Sequence, residues 1–374
     1  MQVGFEAKRL FTNFTGLGNY SRFIVNALSE FAPDNTYILY SPKIKSHPEV
    51  DPILARPNIK AIGPIGGFTF FKSLWRSWGI QYSNTVPDLN IFHGLSQELP
   101  VGLPRHVKKI VTVHDLIYIR YPQFYNPIDV AIYTAKVKSA CRRADKVIAI
   151  SQQTANDLVE FIKVDRAKIE VVYQGCHPIF KTKVSAGVKA AVKAKYNLPD
   201  KFILNVGTIE QRKNVKQLVE ALALLPPGVQ LPVVIVGRAT DYLKEVIACA
   251  QQKKVMDKIT IIHKASFQDL PALYQLATVF VYPSLFEGFG IPLIEAIESG
   301  IPVITSVGSC FQEAAGPDAI YTDPHNPQML SDALNRVLTD KNFAEHVVRS
   351  TATYIKRFEP AVIASDIMQV YRKA

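Results

Sequence analysis

A chain of 374 residues, 48% hydrophobic and 20% charged, has the length of two domains and the composition of a globular protein, which excludes a disordered chain. No apolar run approaches the roughly 18 residues that span a membrane. Met1-Gln2-Val3-Gly4-Phe5 reads as a buried first strand and not as a secretory leader, so the expected location is the cytoplasm.

The net charge is +11, and residues 1–175 hold 21 basic against 14 acidic side chains. The basic residues form no long run and no nucleic-acid motif accompanies them, so nucleic acid is not an expected partner. Two readings of the surplus stay open, attraction to an anionic membrane surface and an ordinary solvated surface. Cys141, Cys176, Cys249 and Cys310 are scattered without metal-ligand spacing, which predicts buried thiols, no disulfide framework and no zinc site.

In chain order, strands are predicted near residues 3–6, 37–40, 59–62, 90–93, 109–114, 146–150 and 170–173. Helices at 20–31, 71–80, 128–143 and 153–161 lie between several of them. Residues 181–197, rich in Lys and Ala, read as a linker running into a short helix. A second series follows, with strands at 202–206, 233–236, 259–262, 279–282, 303–305 and 319–321. Its helices are predicted at 215–225, 242–252, 270–276 and 293–299, and a last amphipathic helix spans about 361–372. The alternation implies α/β architecture, two Rossmann-like doubly wound domains facing each other across a cleft. The expected divisions are 1–180, 181–357 and a C-terminal helix, 358–374, returning to the first domain. Within the first series, between the strands at 59–62 and 90–93, lies an aromatic run, residues 68–78, with both tryptophans. Phe71, Leu74, Trp75 and Trp78 share one helical face, which suits either core packing or a membrane interface.

Chemistry-bearing residues gather where strands end. Thr15-Gly16-Leu17-Gly18-Asn19-Tyr20 precedes the first helix, and its glycines permit a close backbone approach. The third glycine and the downstream acidic residue of a dinucleotide site are missing, which argues against a dehydrogenase. Asn90-Ile91-Phe92-His93-Gly94 and Lys109-Ile110-Val111-Thr112-Val113-His114-Asp115 each end a buried strand in a histidine. His93 faces an acceptor or supports the wall of the site, and Asp115 braces its loop. In Asn205-Val206-Gly207-Thr208-Ile209-Glu210-Gln211-Arg212-Lys213-Asn214, two cations meet a helix start, a natural diphosphate clamp. Finally, Phe286-Glu287-Gly288-Phe289-Gly290-Ile291-Pro292-Leu293-Ile294-Glu295 places two carboxylates eight positions apart around glycines that open a helix. Those two groups can hold separate hydroxyls of one ligand.

The Glu-x7-Glu spacing with Gly-Phe-Gly-x-Pro inside resembles the signature of retaining glycosyltransferases of family 4, which have the GT-B fold. The Gly-Thr-Ile-Glu-x-Arg-Lys-Asn segment is similar to mannosyltransferase-like bacterial members. The resemblance implies an acceptor-binding domain over 1–180 and a nucleotide-sugar donor domain over 181–357. It implies catalytic roles for His114, Glu287, Arg212 and Lys213, with His114 near the 6-position of the transferred sugar. Donor contacts would come from Gly16, Gly18, Gly207, Thr208, Arg212, Lys213, Gly288, Phe289, Gly290 and Glu295, the last holding the ribose. His93 and Asn19 are the acceptor-side candidates. Ser306-Val307-Gly308-Ser309 and Glu313 resemble a supporting loop. Two departures from the family pattern occur, Thr208 where an Arg is common and Gln211 where a Pro is common.

The implied reaction is metal-independent, retaining transfer of a hexosyl unit, mannose from GDP-mannose being favoured. Its acceptor would be a saccharide or lipid-linked saccharide in cell-surface polysaccharide synthesis. No cofactor is implied beyond the donor itself. The rivals are a GT-B enzyme that epimerises or hydrolyses its nucleotide sugar and a catalytically silent binding subunit.

Overall fold

The computed structural model describes residues 1–64 and 75–374, which divide into two compact units. The first is Met1–Gly175 together with Arg357–Ala374, and the second is Cys176–Lys356.

The first unit is built on seven parallel strands in the order β3-β2-β1-β4-β5-β6-β7. They are β1 Gln2–Glu6, β2 Thr36–Tyr40, β3 Ile59–Ile62, β4 Ile91–Gly94, β5 Lys108–Val113, β6 Lys146–Ala149 and β7 Ile169–Val171. Near-continuous apolar runs make these strands, because helices cover a parallel sheet on both faces. Val3 and Phe5, on one face of β1, are fully buried, and Gly4 and Glu6 on the other face are buried too. Val3 stands opposite Tyr37 on one side and Ile91 on the other, so chain order reverses between β1 and β4. That reversal is the topological switch point, where carboxyl ends of strands leave a crevice for ligands.

The Gly16–Phe31 helix packs beside the last helix, Pro360–Lys373, as expected for a terminal segment returning to the first domain. Ile363, Ile367, Met368, Val370 and Tyr371 are buried on its inner face. At about 1.5–3 kcal/mol for each large side chain, this helix contributes on the order of 10 kcal/mol, comparable with the stability of a whole domain. Tyr371 adds a polar link, its hydroxyl lying 2.8 Å from Nδ1 of the fully buried His93.

Residues 68–74 of the aromatic run, and so the start of the helix expected at 71–80, lie outside the described residues. The part that follows is a π turn, Trp75–Gly79, continued by a 3-10 turn, Ile80–Tyr82. Trp75 is buried and Trp78 is exposed, which corrects the single shared face. The wider π turn changes the angle between successive side chains, so positions three apart no longer align. The expected 153–161 helix likewise divides into Gln152–Asp157 and a π turn, Leu158–Ile162, closed by Lys163 at φ 61°.

Six parallel strands form the second unit, ordered β10-β9-β8-β11-β12-β13. They are β8 Ile203–Val206, β9 Val233–Val236, β10 Ile259–Ile262, β11 Val279–Tyr282, β12 Val303–Ser306 and β13 Ile320–Thr322. Its switch point lies between β8 and β11. Helices Tyr242–Gln252 and Leu270–Leu276 match their predicted bounds, and Ser185 caps the Ala186–Lys195 helix by accepting from the Val188 amide. The sequence reading missed the Pro327–Thr339 and Lys341–Tyr354 helices. No helix among the described residues is long and apolar enough to cross a membrane.

Tyr371→Phe tests the terminal link. It removes one hydroxyl and leaves a buried His93 nitrogen without its partner, so we expect a loss of about 1–3 kcal/mol in urea unfolding with little change in slope.

Candidate functional site

In the second unit the site grows from the carboxyl ends of β8 and β11. After β8 the chain reaches Gly207 at φ 151°, whose amide donates to the Val236 carbonyl at 2.9 Å. A Cβ on Gly237 would stand 1.8 Å from the Gly207 carbonyl oxygen, so only glycine lets these two loops pass. Ile209, fully buried, donates its amide to Arg238 and anchors the loop, with Thr208 half-buried beside it. A 3-10 turn, Gln211–Lys213, then leads to Asn214 in the left-handed region, a conformation asparagine tolerates. Asn214 holds the Pro324 carbonyl at 2.8 Å and opens the Val215–Leu224 helix. Arg212 and Lys213 therefore stand at a helix amino end, as their spacing predicts.

Both cations turn to one oxygen. Glu287 Oε1 lies 2.8 Å from Arg212 Nη1 and 2.5 Å from Lys213 Nζ, and accepts from the Tyr282 hydroxyl at 3.0 Å. Lys213 also donates to Tyr282, and Arg212 reaches the Phe286 carbonyl at 2.6 Å and Glu210 at 2.6 Å. Burial alone would push the Glu287 carboxyl up, but Lys213 and Arg212 outweigh it and hold it at about 2. Burial lowers Lys213 in spite of Glu287. Burial would lower Arg212 too, but Glu287 and Glu210 overcome it and raise the guanidinium further. Glu210 and Glu287 thus balance the charge of the two cations.

The loop that carries Glu287 is braced from β12. Ser309, at φ 51°, accepts from the Glu287 amide at 3.1 Å and donates to its carbonyl at 3.0 Å. Cys310 donates to the carbonyls of Glu287 at 3.2 Å and Phe289 at 3.0 Å. The Phe289 ring is buried, which leaves its backbone as the part of this residue that can face a ligand. Gly288 is buried, and Gly290, at φ 103°, opens the Ile291–Glu298 helix. On that helix Glu295 is half-buried and accepts from the Tyr274 hydroxyl at 2.8 Å. Burial raises its carboxyl to about 7, the Tyr274 bond opposing only in part. Sequence reasoning missed Tyr274, Tyr282 and Cys310, because a scattered cysteine reads as a buried thiol and two tyrosines on apolar elements give no signal of their own. Glu313 lies on the short Phe311–Ala315 helix, its carbonyl accepting from Tyr354 at 3.0 Å.

In the first unit the corresponding edge is organised by the turn after β4. Leu95 accepts from His114 Nε2 at 2.8 Å, and Ser96 donates to Glu6 at 3.3 Å. Gln97, at φ 63°, donates its amide to Thr112. A carbonyl can only accept, so Nε2 of His114 carries the proton and Nδ1 is the acceptor. Burial lowers His114 to about 4 and keeps the ring neutral. Asp115 accepts from the Ile117 amide at 3.2 Å, the bracing role expected of it. Glu6, missed in the sequence because it reads as the end of a strand, is 1% exposed at the end of β1. Burial raises its carboxyl, and Arg76 stands 4.0 Å from Oε1, an atom with no hydrogen-bond partner among the described residues.

Two acceptor-side expectations change. His93 has Nδ1 on Tyr371 and Nε2 on Thr112, each at 2.8 Å, and burial lowers it to about 3. It is a core support, the second of its two readings. Asn19 is half-buried and bonds through Oδ1 to Arg22, which also pairs with Glu49 at 3.1 Å. Its carbonyl is taken up inside the unit. Gly18 donates its amide to Asn13 Oδ1 at 3.2 Å, and a Cβ there would meet the Asn13 carbonyl oxygen at 1.6 Å. Gly18 is thus required for packing, whereas Gly16 is exposed with open space around it. No group of three His, Cys, Asp or Glu side chains among the described residues is placed to hold a metal ion.

Comparison with known proteins follows the two units. A family model described as Glycosyltransferase Family 4 matches residues 16–178, and one described as Glycosyl transferases group 1 matches residues 189–353. The serotype-specific mannosyltransferase WbdA of Escherichia coli is 30% identical over 278 residues, 71% of this chain and 34% of WbdA. The chain thus spans about a third of the length of this relative. The O-antigen chain mannosyltransferase RfbU of Salmonella typhimurium is 28% identical over 63% of this chain and 62% of its own. Among solved structures, Anabaena Alr3699/HepE in complex with UDP and glucose superposes with a TM-score of 0.75 at 17% identity, covering 100% of both chains. WaaG, a glycosyltransferase involved in lipopolysaccharide biosynthesis, gives 0.72 at 16%, again over 100% of both. The fold is GT-B, two Rossmann-like units.

Two pH effects follow, of defined sign. A carboxyl lowered from 4.5 to about 2 stabilises the fold above pH 4.5 and loses that contribution as pH falls towards 2. Glu287→Gln is therefore expected to cost on the order of 3 kcal/mol at neutral pH, with the gap to wild type narrowing on acidification in denaturant titrations. His114, lowered from 6.5 to about 4, leaves the folded state with fewer protons than the unfolded one between those values. Stability should fall as pH drops from 6.5 to 4, and His114→Gln should flatten that part of the profile.

Proposed function

From the premise that this chain belongs to glycosyltransferase family 4, we propose that it transfers a hexosyl unit from a nucleotide sugar to a hydroxyl of a saccharide or lipid-linked saccharide. The observation that carries this reading is the convergence of Arg212 and Lys213 on Glu287 at a helix amino end. In the reaction the bond from the anomeric carbon to the donor phosphate oxygen breaks, and the nucleoside diphosphate leaves with the electron pair. Negative charge then grows on the phosphate, where two fixed cations and a helix dipole lower the barrier more than they stabilise the bound donor. The acceptor hydroxyl bonds to the same face of the sugar and gives its proton to the departing phosphate, so configuration is retained. Charge stabilisation by Arg212 and Lys213 makes a metal ion unnecessary in this scheme.

Glu287 has a double part. It is the group that must yield some of its hold on both cations when the diphosphate arrives, and it stands ready for a donor-sugar hydroxyl. Glu295 suits the ribose, because a carboxyl near 7 can accept from a diol when ionised and donate to it when protonated. Neutral His114 offers an acceptor nitrogen to a sugar hydroxyl, and Glu6 offers an oxygen not yet bonded. Mannose from GDP-mannose is the donor we favour, supported by the mannosyltransferase relatives. The part RfbU plays as an O-antigen chain mannosyltransferase also supports an acceptor in surface polysaccharide synthesis, and the basic surplus supports attachment to the cytoplasmic face of a membrane.

The test is thermal stabilisation by GDP, UDP, dTDP and ADP, followed by transfer from GDP-mannose read by proton NMR. We expect GDP to stabilise most, by about 2.7 kcal/mol at a hundredfold excess over its Kd, and Lys213→Ala to abolish the shift. The product should carry the α-configuration of the donor. Stabilisation by none of the four would overturn the donor site. Inverted product would overturn the mechanism, and binding without turnover over any acceptor would favour a silent subunit.

A further inference from the structure

A second polar feature of the first unit lies at the opposite sheet edge from Glu6 and His114. A cavity of about 570 Å³ opens between the end of the Pro127–Arg143 helix and residues 162–168, beside the amino ends of β6 and β7. Lys138, Arg142, Lys163 and Lys168 line it against one carboxylate, Asp165. Asp165 caps the Ala167 amide at 3.0 Å, and Lys168 is held by the Ala144 carbonyl at 2.9 Å. Lys138, Arg142 and Lys163 are exposed and have no ion pair or hydrogen bond among the described residues. Three unneutralised cations around one concavity attract an anion.

The helix itself indicates which anion. Ile128 is 70% exposed and Ile132 46%, and Ala131 and Ala135 are exposed with them. Spacings of three and four place these residues on one helical face with Lys138 and Arg142, while Val137, Ala140 and Cys141 face the core. The outer face is therefore apolar over its first half and cationic over its last, along about 21 Å from Ile128 to Arg142. A soluble phosphate accounts for the cations and leaves the isoleucines unexplained. A bilayer accounts for both, since aliphatic side chains enter the acyl boundary while cations meet the headgroups. The chain's net charge of +11 adds attraction of the same sign.

We propose that this face docks on an anionic phospholipid surface, with a lipid phosphate in the Lys138–Arg142–Lys163 cavity and Ile128 and Ile132 in the acyl boundary. It names the contact surface for the membrane attachment suggested above and is independent of the transfer reaction, because docking is read without donor or acceptor.

The experiment is co-sedimentation of the full chain with vesicles of phosphatidylcholine alone or mixed with phosphatidylglycerol. The variants are Lys138→Glu/Arg142→Glu/Lys163→Glu and Ile128→Ser/Ile132→Ser, all at exposed positions, with thermal melts to show that each folds. Wild type should pellet with the anionic vesicles, less so at high salt. The charge variant should bind about 100-fold more weakly, and the serine variant should also lose binding. Failure of wild type to bind, or equal binding by either variant, would overturn the proposal. Titration with inorganic phosphate supplies the remaining arm. Saturable phosphate binding lost in the charge variant, without vesicle binding by wild type, would assign the cavity to a soluble anion instead.

Discussion

One carboxylate oxygen sets the geometry of the second unit's site. Glu287 Oε1, on the loop after β11, gathers a guanidinium and an ammonium from the loop after β8 and a phenol from β11 itself. Each charge taken from water costs several kcal/mol, and mutual attraction compensates only when geometry is tight and the remaining hydrogen bonds are made. Here they are made by backbone. Arg212 donates to the Phe286 carbonyl, and the Leu285 amide donates back to the Arg212 carbonyl at 2.8 Å. The two loops are thus tied along their main chains as well as through the ion cluster. Because β8 and β11 are neighbours at the switch point, this tie also fixes the crevice where a ligand would lie.

The first unit solves a similar problem with neutral groups. Tyr371, His93, Thr112 and Tyr20 form a buried chain of hydrogen bonds, the last being 3.1 Å between Thr112 and Tyr20 hydroxyls. The Tyr20 ring meets His114 edge-on at 4.5 Å between centroids. His114 is therefore held by a ring contact on one side and by the Leu95 carbonyl at Nε2. Each unit pre-positions its polar groups, one by charge and the other by burial.

Strand positions and the strand-end motifs were legible because a parallel sheet writes itself as apolar runs of four to six residues, and polar residues following such a run fall at its edge. Arg212, Lys213 and Glu287 were found on those grounds, together with the family resemblance. What was not legible depends on direction within the core. His93 and His114 occupy equivalent positions in sequence, yet one is sealed between Thr112 and Tyr371 and the other keeps Nδ1 as an acceptor. Only the distant partner, 278 positions along the chain, separates them. Glu6 was invisible for a related reason, since a lone acid ending a strand looks solvated until its burial is known. The π turns at residues 75–79 and 158–162 leave no periodic trace, because one inserted step within a helix is shorter than the window that reveals a period.

The first unit is discontinuous, and this has a consequence for synthesis. His93 leaves the ribosome early, but Tyr371, which completes its hydrogen bonds, follows the whole of the second unit. At about 5–20 residues per second, the seven-stranded sheet waits on the order of 10–40 s without the helix that covers one of its faces. During that interval the second unit can close by itself, its strands all lying within one stretch of chain. The order of folding is then the reverse of the order of translation.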